Sequence, residues 1–279
     1  MTQTSYKETA GSHPERLFRL DGAVILLTGA TGHLGTVLAH GLAAAGAHVL
    51  VNARHAETVE PLVQALRDAG HAATSLVFDI SDEHACHTAM AQIEQAHGTL
   101  HGIVNNAFNG RAATVESANA RDFDASLRLN VTAPFMLVQT ALPMLKHAAR
   151  SYQGGASIVN IASMYGMVSP DPRIYGDSGA NNPPFYGAAK AGMIQLTRYL
   201  SCHLGPDNIR VNSISPGAFP RPAIAQDKPE FHKHLCDKTP LGRIGQAQEL
   251  VGPVLFLLSS ASSYITGANL PVDGGWTAW

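Results

Sequence analysis

The chain has 279 residues, of which 45% are apolar and 14% are charged, and its formal net charge is −2. This length and apolar content allow a substantial core. The near-neutral charge gives no electrostatic footprint for nucleic acid, and no apolar run approaches the roughly 20 residues of a membrane-spanning helix. Three cysteines (Cys86, Cys202 and Cys236) argue against a disulfide framework and fit a reducing compartment. The polar N-terminus lacks the apolar region of a signal peptide, so we expect a cytoplasmic protein.

Short apolar runs alternate with longer segments of helical periodicity. The runs fall at 23–27, 47–51, 75–78, 100–104, 156–161, 209–214 and 268–272. The helical segments fall at 35–45, 57–69, 82–97, 121–148 and 186–204. This alternation predicts an α/β protein with a mainly parallel sheet covered by helices on both faces. We therefore predict a single-domain, doubly wound Rossmann fold with one strand for each apolar run. It would cover residues 18–279, after an N-terminal extension at 1–17.

Two stretches have a different composition. Residues 165–185 are dense in Pro, Gly, Asp and Asn, and residues 216–232 have the same character. Both are predicted to be largely loop. A loop as long as the first is usually functional or mobile in a compact domain.

The segment TGATGHLG, residues 28–35, lies between the first apolar run and the first helical segment. Glycines permit a tight turn and close approach of a phosphate to the backbone, and the helix N-terminus behind them favours a pyrophosphate. The glycine order differs from the usual G-x-G-x-x-G fingerprint. The alternative is a tight turn without a ligand. The predicted cofactor residues of this loop are Gly29, Thr31, Gly32, His33, Leu34 and Gly35.

Arg54 follows the second apolar run and bears on the choice of cofactor. In a dinucleotide fold, an acidic residue at this point binds the ribose of NAD, whereas an arginine suits the 2′-phosphate of NADP. Here Ala53 holds the acidic position and Arg54 follows. We therefore favour NADP over NAD. The alternative is that Arg54 is only solvated and that Asn52 serves an NAD ribose.

Tyr186 and Lys190 are four residues apart at the start of a predicted helix and so share one face of it. A tyrosine, with a pKa near 10, is a poor acid–base group at neutral pH. A nearby ammonium stabilises the phenolate and makes proton transfer possible. Alone, the spacing Y-x-x-x-K is a common accident.

The whole series of motifs resembles the short-chain dehydrogenase/reductase family. The matching segments, in that family's order, are the glycine loop 28–35, FDIS at 78–81, NNA at 105–107, LRLNVTAPF at 127–135, IVNIAS at 158–163, YGAAK at 186–190, IRVNSISPG at 209–217 and VDGG at 272–275. The similarity covers about residues 18–279. An ordered series is far more specific than any single motif.

The resemblance implies roles for four catalytic residues. Tyr186 would be the general acid/base, and Lys190 would hold the nicotinamide ribose and lower the tyrosine pKa. Ser163 would hydrogen-bond the substrate oxygen. Asn130 would kink its helix and hold a water in the proton relay. The alternatives are that Ser163 only caps a turn and that Asn130 only satisfies backbone groups.

The resemblance also implies cofactor contacts outside the glycine loop. The residues concerned are Asp79 and Ile80 at the adenine, Asn106 and Ala107 in the cleft, and Pro216 and Gly217 beside the nicotinamide, together with Tyr186 and Lys190. For Asp79 the alternative is a helix cap.

The chain departs from the family at two points. Its glycine loop resembles that of the extended branch, which includes sugar-nucleotide epimerases and dehydratases, but the remaining motifs match the shorter oxidoreductase branch. In addition, Ser163 and Tyr186 lie 23 positions apart, more than that branch usually has. Residues near 167–184 therefore resemble an insertion, which must loop out and return Tyr186 to Ser163.

Such an insertion should cover or shape the substrate pocket. The candidates for substrate contact are Arg173, Tyr175, Asp177 and Asn181 in the insertion, with Arg111 and Arg221 from other loops. Three arginines around one cleft would suit a carboxylate or phosphate. The alternative is that they are solvated.

We therefore predict an NAD(P)-dependent oxidoreductase that moves a hydride between nicotinamide and a hydroxyl or keto carbon of a sugar, polyol or small hydroxy/keto acid. The C-terminal half resembles gluconate 5-dehydrogenase-like proteins more loosely. The alternatives are a sugar-nucleotide epimerase or dehydratase and a non-catalytic dinucleotide-binding regulator. The resemblance also implies a homo-oligomer, a dimer or tetramer.

The 14 histidines invite a metal hypothesis. HACH at 84–87 and HKHLC at 232–236 have close spacing, but neither has a second paired half. We expect surface histidines and no metal site, since hydride transfer needs no metal.

Overall fold

The computed structural model describes residues 14–178 and 181–279, which leaves most of the predicted N-terminal extension outside the described residues. Seven strands form one sheet in the order β3-β2-β1-β4-β5-β6-β7, and every neighbouring pair is parallel. The strands are β1 (Val24–Leu27), β2 (His48–Ala53), β3 (Ala73–Val77), β4 (Gly102–Asn105), β5 (Ala156–Ile161), β6 (Ile209–Pro216) and β7 (Asn269–Val272). The predicted fold class is confirmed.

Helices pack on both faces of this sheet. They are α1 (Pro14–Leu17), α2 (His33–Ala44), α3 (Ala56–Asp68), α4 (Glu83–His97), α5 (Ala120–Leu127), α6 (Ala133–Ser151), α7 (Pro184–Leu204), α8 (Ile224–Asp227), α9 (Pro229–Lys238) and α10 (Val251–Leu258). Two apolar clusters form the core, one on each face. All residues of β5 and β6 are buried, as expected for central strands of a covered parallel sheet.

Local sequence signals explain individual helices. In α3 the buried residues Val59, Leu62, Val63 and Leu66 recur at helical spacing. Asp82 caps α4 by accepting a hydrogen bond from the backbone N–H of Ala85, and Gly98 ends it in a left-handed conformation. None of the helices within the described ranges is both long and apolar enough to cross a bilayer.

Two predicted segments differ from the structure. The helical segment 121–148 is divided by one π-helical turn, Arg128–Thr132, into α5 and α6. The predicted loop at 216–232 contains α8 and the start of α9. Pro229, which favoured the loop prediction, occupies the first helical position, where its missing N–H costs nothing.

The sheet reverses its order between β1 and β4, because β2 and β3 lie on one side of β1 and β4 to β7 on the other. In open α/β sheets, ligands bind at such a switch point, beyond the carboxyl ends of the strands. The glycine loop and the NNA segment both start there.

Candidate active site

The glycine loop has a geometry that side chains would disrupt. Gly29 has a φ of 61°, and a Cβ there would lie 2.6 Å from Ala107 Cα. A Cβ on Gly35 would lie 2.2 Å from the carbonyl oxygen of Gly29. Gly32, directly before α2, has no side chain that could accept hydrogen bonds from the first backbone N–H groups of the helix. They form the kind of donor set that binds a pyrophosphate.

The NNA segment is fastened to this loop. The Asn106 side chain donates to the carbonyl oxygens of Thr28 at 3.1 Å and Gly29 at 3.0 Å. Thr28 Oγ1 accepts hydrogen bonds from the backbone N–H groups of Asn106 and Ala107, at 3.0 and 3.1 Å. The sequence analysis did not predict that the Thr28 hydroxyl holds these two segments together, although its place before the first glycine was a signal.

A cleft of about 950 Å³ opens at the switch point. Eleven of the predicted cofactor residues line it: Gly29, Thr31, Gly32, His33, Leu34, Gly35, Arg54, Asp79, Ile80, Asn106 and Ala107. Tyr186, Lys190, Pro216 and Gly217 are not among its lining residues. The cleft therefore includes the adenosine and pyrophosphate part of the predicted dinucleotide site, and Arg111 and Arg221 also line it. The residues present fit such a group.

The structure argues against the alternative that Asn52, near the end of β2, binds an NAD ribose. Asn52 is 2% exposed, and its side-chain amide donates to the carbonyl oxygens of Leu76 and Phe78, both at 3.0 Å. These donors are therefore not free for a ribose. Arg54 is exposed, lines the cleft and has no hydrogen-bonded or ion-paired partner within the described part of the chain.

Arg54 also acts on Asp79 across the cleft. Burial would raise the pKa of the Asp79 carboxyl, but hydrogen bonds from Ser81 and the charge of Arg54 outweigh burial and lower it. Asp79 Oδ1 accepts from the backbone N–H and the hydroxyl of Ser81, at 2.8 and 2.7 Å. Asp79 is therefore held as a carboxylate.

Ser163 and Tyr186 meet at the carboxyl end of β5. Ser163 is 5% exposed and its Oγ accepts the backbone N–H of Tyr165 at 3.2 Å. Burial raises the pKa of the Tyr186 phenol, and a hydrogen bond from the Ser163 hydroxyl opposes that rise. The structure thus brings together the two side chains that the sequence separates by 23 positions.

Lys190 lies beneath this pair. Its ammonium donates to the carbonyl oxygen of Ile161 at 2.7 Å, and Nζ lies 5.8 Å from the centre of the Tyr186 ring. Burial lowers the pKa of Lys190 to about 7.

Small residues allow this close packing. A Cβ on Gly166 would lie 2.8 Å from the carbonyl carbon of Lys190, and a Cβ on Gly187 would lie 2.8 Å from the carbonyl oxygen of Tyr165. The 3₁₀ turn Met164–Gly166, which follows Ser163, can therefore lie directly against α7.

Asn130 lies in the π-helical turn and is fully buried. Its Nδ2 donates to the carbonyl oxygen of Ser126 at 2.9 Å, while its Oδ1 has no hydrogen-bond partner among residues 14–178 and 181–279. A buried acceptor without a partner is costly. This one fits the predicted relay function better than a purely structural one.

The insertion packs on α9. Its 3₁₀ segment, Pro172–Ser178, and the preceding Asp171 contact that helix through three kinds of interaction. The rings of Tyr175 and Phe231 stack with centres 5.4 Å apart, the carbonyl oxygen of Ile174 lies 3.1 Å from His234 Nδ1, and Lys238 pairs with Asp171 at 3.2 Å. The insertion is therefore held on the outer side of the site.

Tyr175 serves this anchoring. Burial raises the pKa of the Tyr175 phenol, while the Tyr165 phenol and the backbone N–H of Asn182, just before α7, lower it and so lie next to it. Asn181 Oδ1 accepts a hydrogen bond from the backbone N–H of Asn182 at 2.8 Å. The Asp177 side chain lies outside the described parts of the chain. These contacts close the insertion on itself and return the chain to Tyr186.

The three predicted substrate arginines do not converge on one site. Arg173 is 87% exposed and pairs with Asp171 at 2.7 Å. Arg111 lines the cleft, but its guanidinium is engaged by Asp122 and by the carbonyl oxygens of Ala112 and Ser117. Of these three arginines, only Arg221 lines the cleft without a partner among the residues that the structure describes.

Two cleft residues were missed from the sequence. Arg128 donates to the carbonyl oxygen of Ser81 at 2.7 Å and so bridges the π-helical turn and the loop that carries Asp79. Phe108 follows Ala107 and lies against Tyr186; its place directly after NNA was the available signal. In the described part of the chain, no group of three or more His, Cys, Asp or Glu side chains could hold a metal ion.

Comparisons with known proteins agree with this geometry. Residues 29–277 match the family described as enoyl-(acyl carrier protein) reductase. The chain is 36% identical over 269 residues to gluconate 5-dehydrogenase of Gluconobacter oxydans strain 621H, with 95% of this chain and 98% of the relative covered. It is 32% identical to 5-keto-D-gluconate 5-reductase of Escherichia coli strain K12, with 93% and 97% covered.

Solved structures extend the match to three dimensions. A gluconate 5-dehydrogenase from Burkholderia cenocepacia J2315, in complex with NADP and tartrate, superposes with a TM-score of 0.85 at 32% identity. The match covers 96% of this chain and 100% of that one. With the parallel sheet, the glycine loop and the Ser–Tyr–Lys arrangement, these matches show that the chain belongs to the short-chain dehydrogenase/reductase family of NAD(P)-dependent oxidoreductases.

Proposed function

We propose that this protein is an NADP(H)-dependent oxidoreductase that interconverts a hydroxyl and a keto group on a small sugar acid. The observation that carries the proposal is the convergence of Ser163 and Tyr186, whose phenol pKa the Ser163 hydroxyl lowers, with the buried Lys190 beside them. A serine, a tyrosine and a lysine in this arrangement can polarise a carbonyl oxygen and exchange its proton.

The bound nicotinamide supplies or accepts the hydride. Tyr186 exchanges the proton with the substrate oxygen, and Ser163 donates a hydrogen bond to the same oxygen. Protonated Lys190 favours the phenolate form of Tyr186 through its charge, because an opposite charge nearby stabilises an ionised group. Asn130, whose Oδ1 is unpartnered within the described ranges, offers the next acceptor along the proton path.

NADP(H) is favoured by the adenosine end of the cleft. Arg54 is an exposed guanidinium without a partner in the described part of the chain, whereas the Asn52 amide is engaged by β3 and the residue after it. A guanidinium at this position can bind a phosphate through two parallel hydrogen bonds. The NADP complex of the Burkholderia relative supports the same choice.

A sugar acid is favoured by Arg221 and by the relatives. Arg221 provides a guanidinium at the cleft that no acidic side chain neutralises among the described residues. A carboxylate on the substrate would pair with this guanidinium and neutralise its charge. Two relatives are a gluconate dehydrogenase and a ketogluconate reductase, and the Burkholderia structure holds tartrate, also a hydroxy acid.

We further propose a cytoplasmic homo-oligomer. The three cysteines are free thiols, and Cys202 is exposed, which suits a reducing compartment. Exposed aromatic and aliphatic side chains, among them Phe135 and Tyr199 on α6 and α7, support association. Analytical ultracentrifugation of the full chain tests the assembly, and a monomer would refute it.

The proposal is tested by following NADPH oxidation with keto sugar acids, using 5-ketogluconate first, and by the reverse reaction with gluconate and NADP. We expect turnover with a keto or hydroxy sugar acid and net change of nicotinamide absorbance. Turnover of a sugar nucleotide with no net absorbance change would instead support the epimerase alternative. Cofactor binding without turnover of any substrate in the screen would support the regulator.

A further inference from the structure

Phe108 lines the cofactor cleft and contacts the acid/base residue Tyr186. It is 52% exposed, yet its ring packs against that of Tyr186 with centres 5.0 Å apart and planes inclined at 72°. Edge-to-face arrangements of this kind are favourable aromatic contacts. The ring is therefore held at Tyr186 by a specific contact.

The ring lies in a slot that fits it. Lys190 Nζ is 5.7 Å from the centre of the Phe108 ring, within the range of a cation–π contact. A Cβ on Gly110 would lie 2.8 Å from Phe108 Cζ. The glycine therefore leaves space that a side chain would fill, and the ring occupies it between Gly110, Tyr186 and Lys190.

The position of the ring has a consequence for access. Phe108, Asn109 and Gly110 line the cleft, whereas Ser163, Tyr186 and Lys190 do not. A ligand that extends from the glycine loop toward Tyr186 meets the Phe108 ring first. By covering Lys190, the Phe108 ring also contributes to the burial that lowers the pKa of the Lys190 ammonium.

We propose that Phe108 is a displaceable aromatic cover over Tyr186 and Lys190, which gives way when the nicotinamide half of the cofactor enters. After displacement, its ring provides an apolar wall of the substrate pocket. The inference rests on the proposed function, since it places the nicotinamide ribose beside Lys190. The aromatic pair is worth about 2- to 13-fold in an equilibrium constant, so a cofactor can displace it at modest loss of affinity.

The test compares two ligands on the full-length protein. NADPH contains the nicotinamide half, whereas 2′,5′-ADP contains only the adenosine half with its 2′-phosphate. In Phe108→Ala, we expect NADPH to bind about 2- to 13-fold more tightly and to associate faster in stopped-flow fluorescence. The Kd of 2′,5′-ADP should not change. Phe108→Leu, which keeps an apolar side chain but loses the ring pair, should lie between.

Phe18→Ala is the matched control, because Phe18 is 44% exposed and contacts another ring, that of Phe256, outside the cleft. It should change neither affinity. Unchanged or weaker NADPH binding in Phe108→Ala would overturn the proposal, as would an equal change for both ligands, which indicates a structural role. Wild-type protein that binds 2′,5′-ADP but shows no NADPH turnover with any keto acid would overturn the proposed function, while the two-ligand comparison would still decide on Phe108.

Discussion

The Lys190 ammonium donates a hydrogen bond of 2.7 Å to the carbonyl oxygen of Ile161, the last residue of β5. This bond fixes α7 against the strand that leads into Ser163, so the three reacting side chains are spaced before a ligand binds. Lys190 is 3% exposed, and burial lowers its pKa to about 7. The charge of the site therefore changes close to neutral pH.

This burial predicts a specific pH dependence of stability in the cofactor-free protein. Between pH 7 and the ordinary lysine value of 10.5, the unfolded chain holds a proton on Lys190 that the folded chain has lost. The unfolded state binds more protons there, so the free energy of unfolding should rise with pH across this window, by at most about 1.4 kcal/mol per pH unit.

Urea denaturation of wild type and Lys190→Met between pH 6.5 and 10 measures the effect. The difference between the two free energies of unfolding should shift in favour of wild type as the pH rises. Other titrating groups cancel in this difference. A flat difference would mean that Lys190 keeps its ordinary pKa in the folded state.

Tyr186→Phe should lose turnover by about 10²- to 10⁴-fold, because general acid–base catalysis contributes this much. NADPH affinity should be retained, since the ring and its contact with Phe108 remain. Steady-state rates and fluorescence titration measure the two quantities. Retained turnover would assign proton transfer to another group.

Ser163→Ala tests the effect of the Ser163 hydroxyl on the pKa of Tyr186. The phenol remains but loses the hydrogen bond that opposes the burial-induced rise of its pKa. The basic limb of the pH profile should therefore move to higher pH, in addition to a loss of rate. A profile that only falls in height would leave Ser163 with a structural role.

These side chains were predicted from the ordered series of motifs and its resemblance to a family, since the Y-x-x-x-K spacing alone is a common accident. Ser163 follows a buried strand, and Tyr186 and Lys190 begin a helix after two prolines. The resemblance implied that Asn130 kinks its helix, but the local sequence did not predict the π-helical turn at Arg128–Thr132, because it contains neither Gly nor Pro. It arises where the Asn130 side chain bonds the carbonyl oxygen of Ser126 within the helix, a choice that depends on tertiary packing.

Arg54→Ala should raise the Kd of NADPH by roughly 10- to 100-fold while leaving that of NADH nearly unchanged, since hydrogen bonds to charged groups contribute about 1.5–3 kcal/mol. Titration of both cofactors measures the ratio. Arg128→Ala is the control. Arg128 also lines the cleft, but it supports the Ser81 carbonyl, so its loss should weaken both cofactors to a similar degree.

Arg221→Ala should raise KM for an acidic substrate by about tenfold or more, with kcat less affected, if the guanidinium binds the carboxylate. An uncharged polyol or the methyl ester of the acid should show no such change. Arg173→Ala provides the matched control, because Arg173 is engaged by Asp171 on the surface. Equal KM values for the acid in wild type and Arg221→Ala would remove the proposed role of Arg221.

For the three predicted substrate arginines, the sequence could not show which side chains are engaged by an acidic partner. Arg111, Arg173 and Arg221 have the same chemistry, and all lie outside the strands and α-helices. Their availability depends on whether an acidic side chain is close in space, Asp122 for Arg111 and Asp171 for Arg173. Asp122 is 11 positions from Arg111, so only the folded loop brings the two together.

The packing of the insertion against α9 has a consequence for protein engineering. The segment that separates Ser163 from Tyr186 is joined to that helix by a ring stack, a His–carbonyl contact and the Asp171–Lys238 ion pair. Neither half keeps these partners when moved alone. Grafting this region onto a shorter relative would need residues 164–184 and 229–238 transplanted as one cassette. A chimera that carries only the first segment would expose the ring of Tyr175 and leave the Asp171 carboxylate without the lysine it binds here.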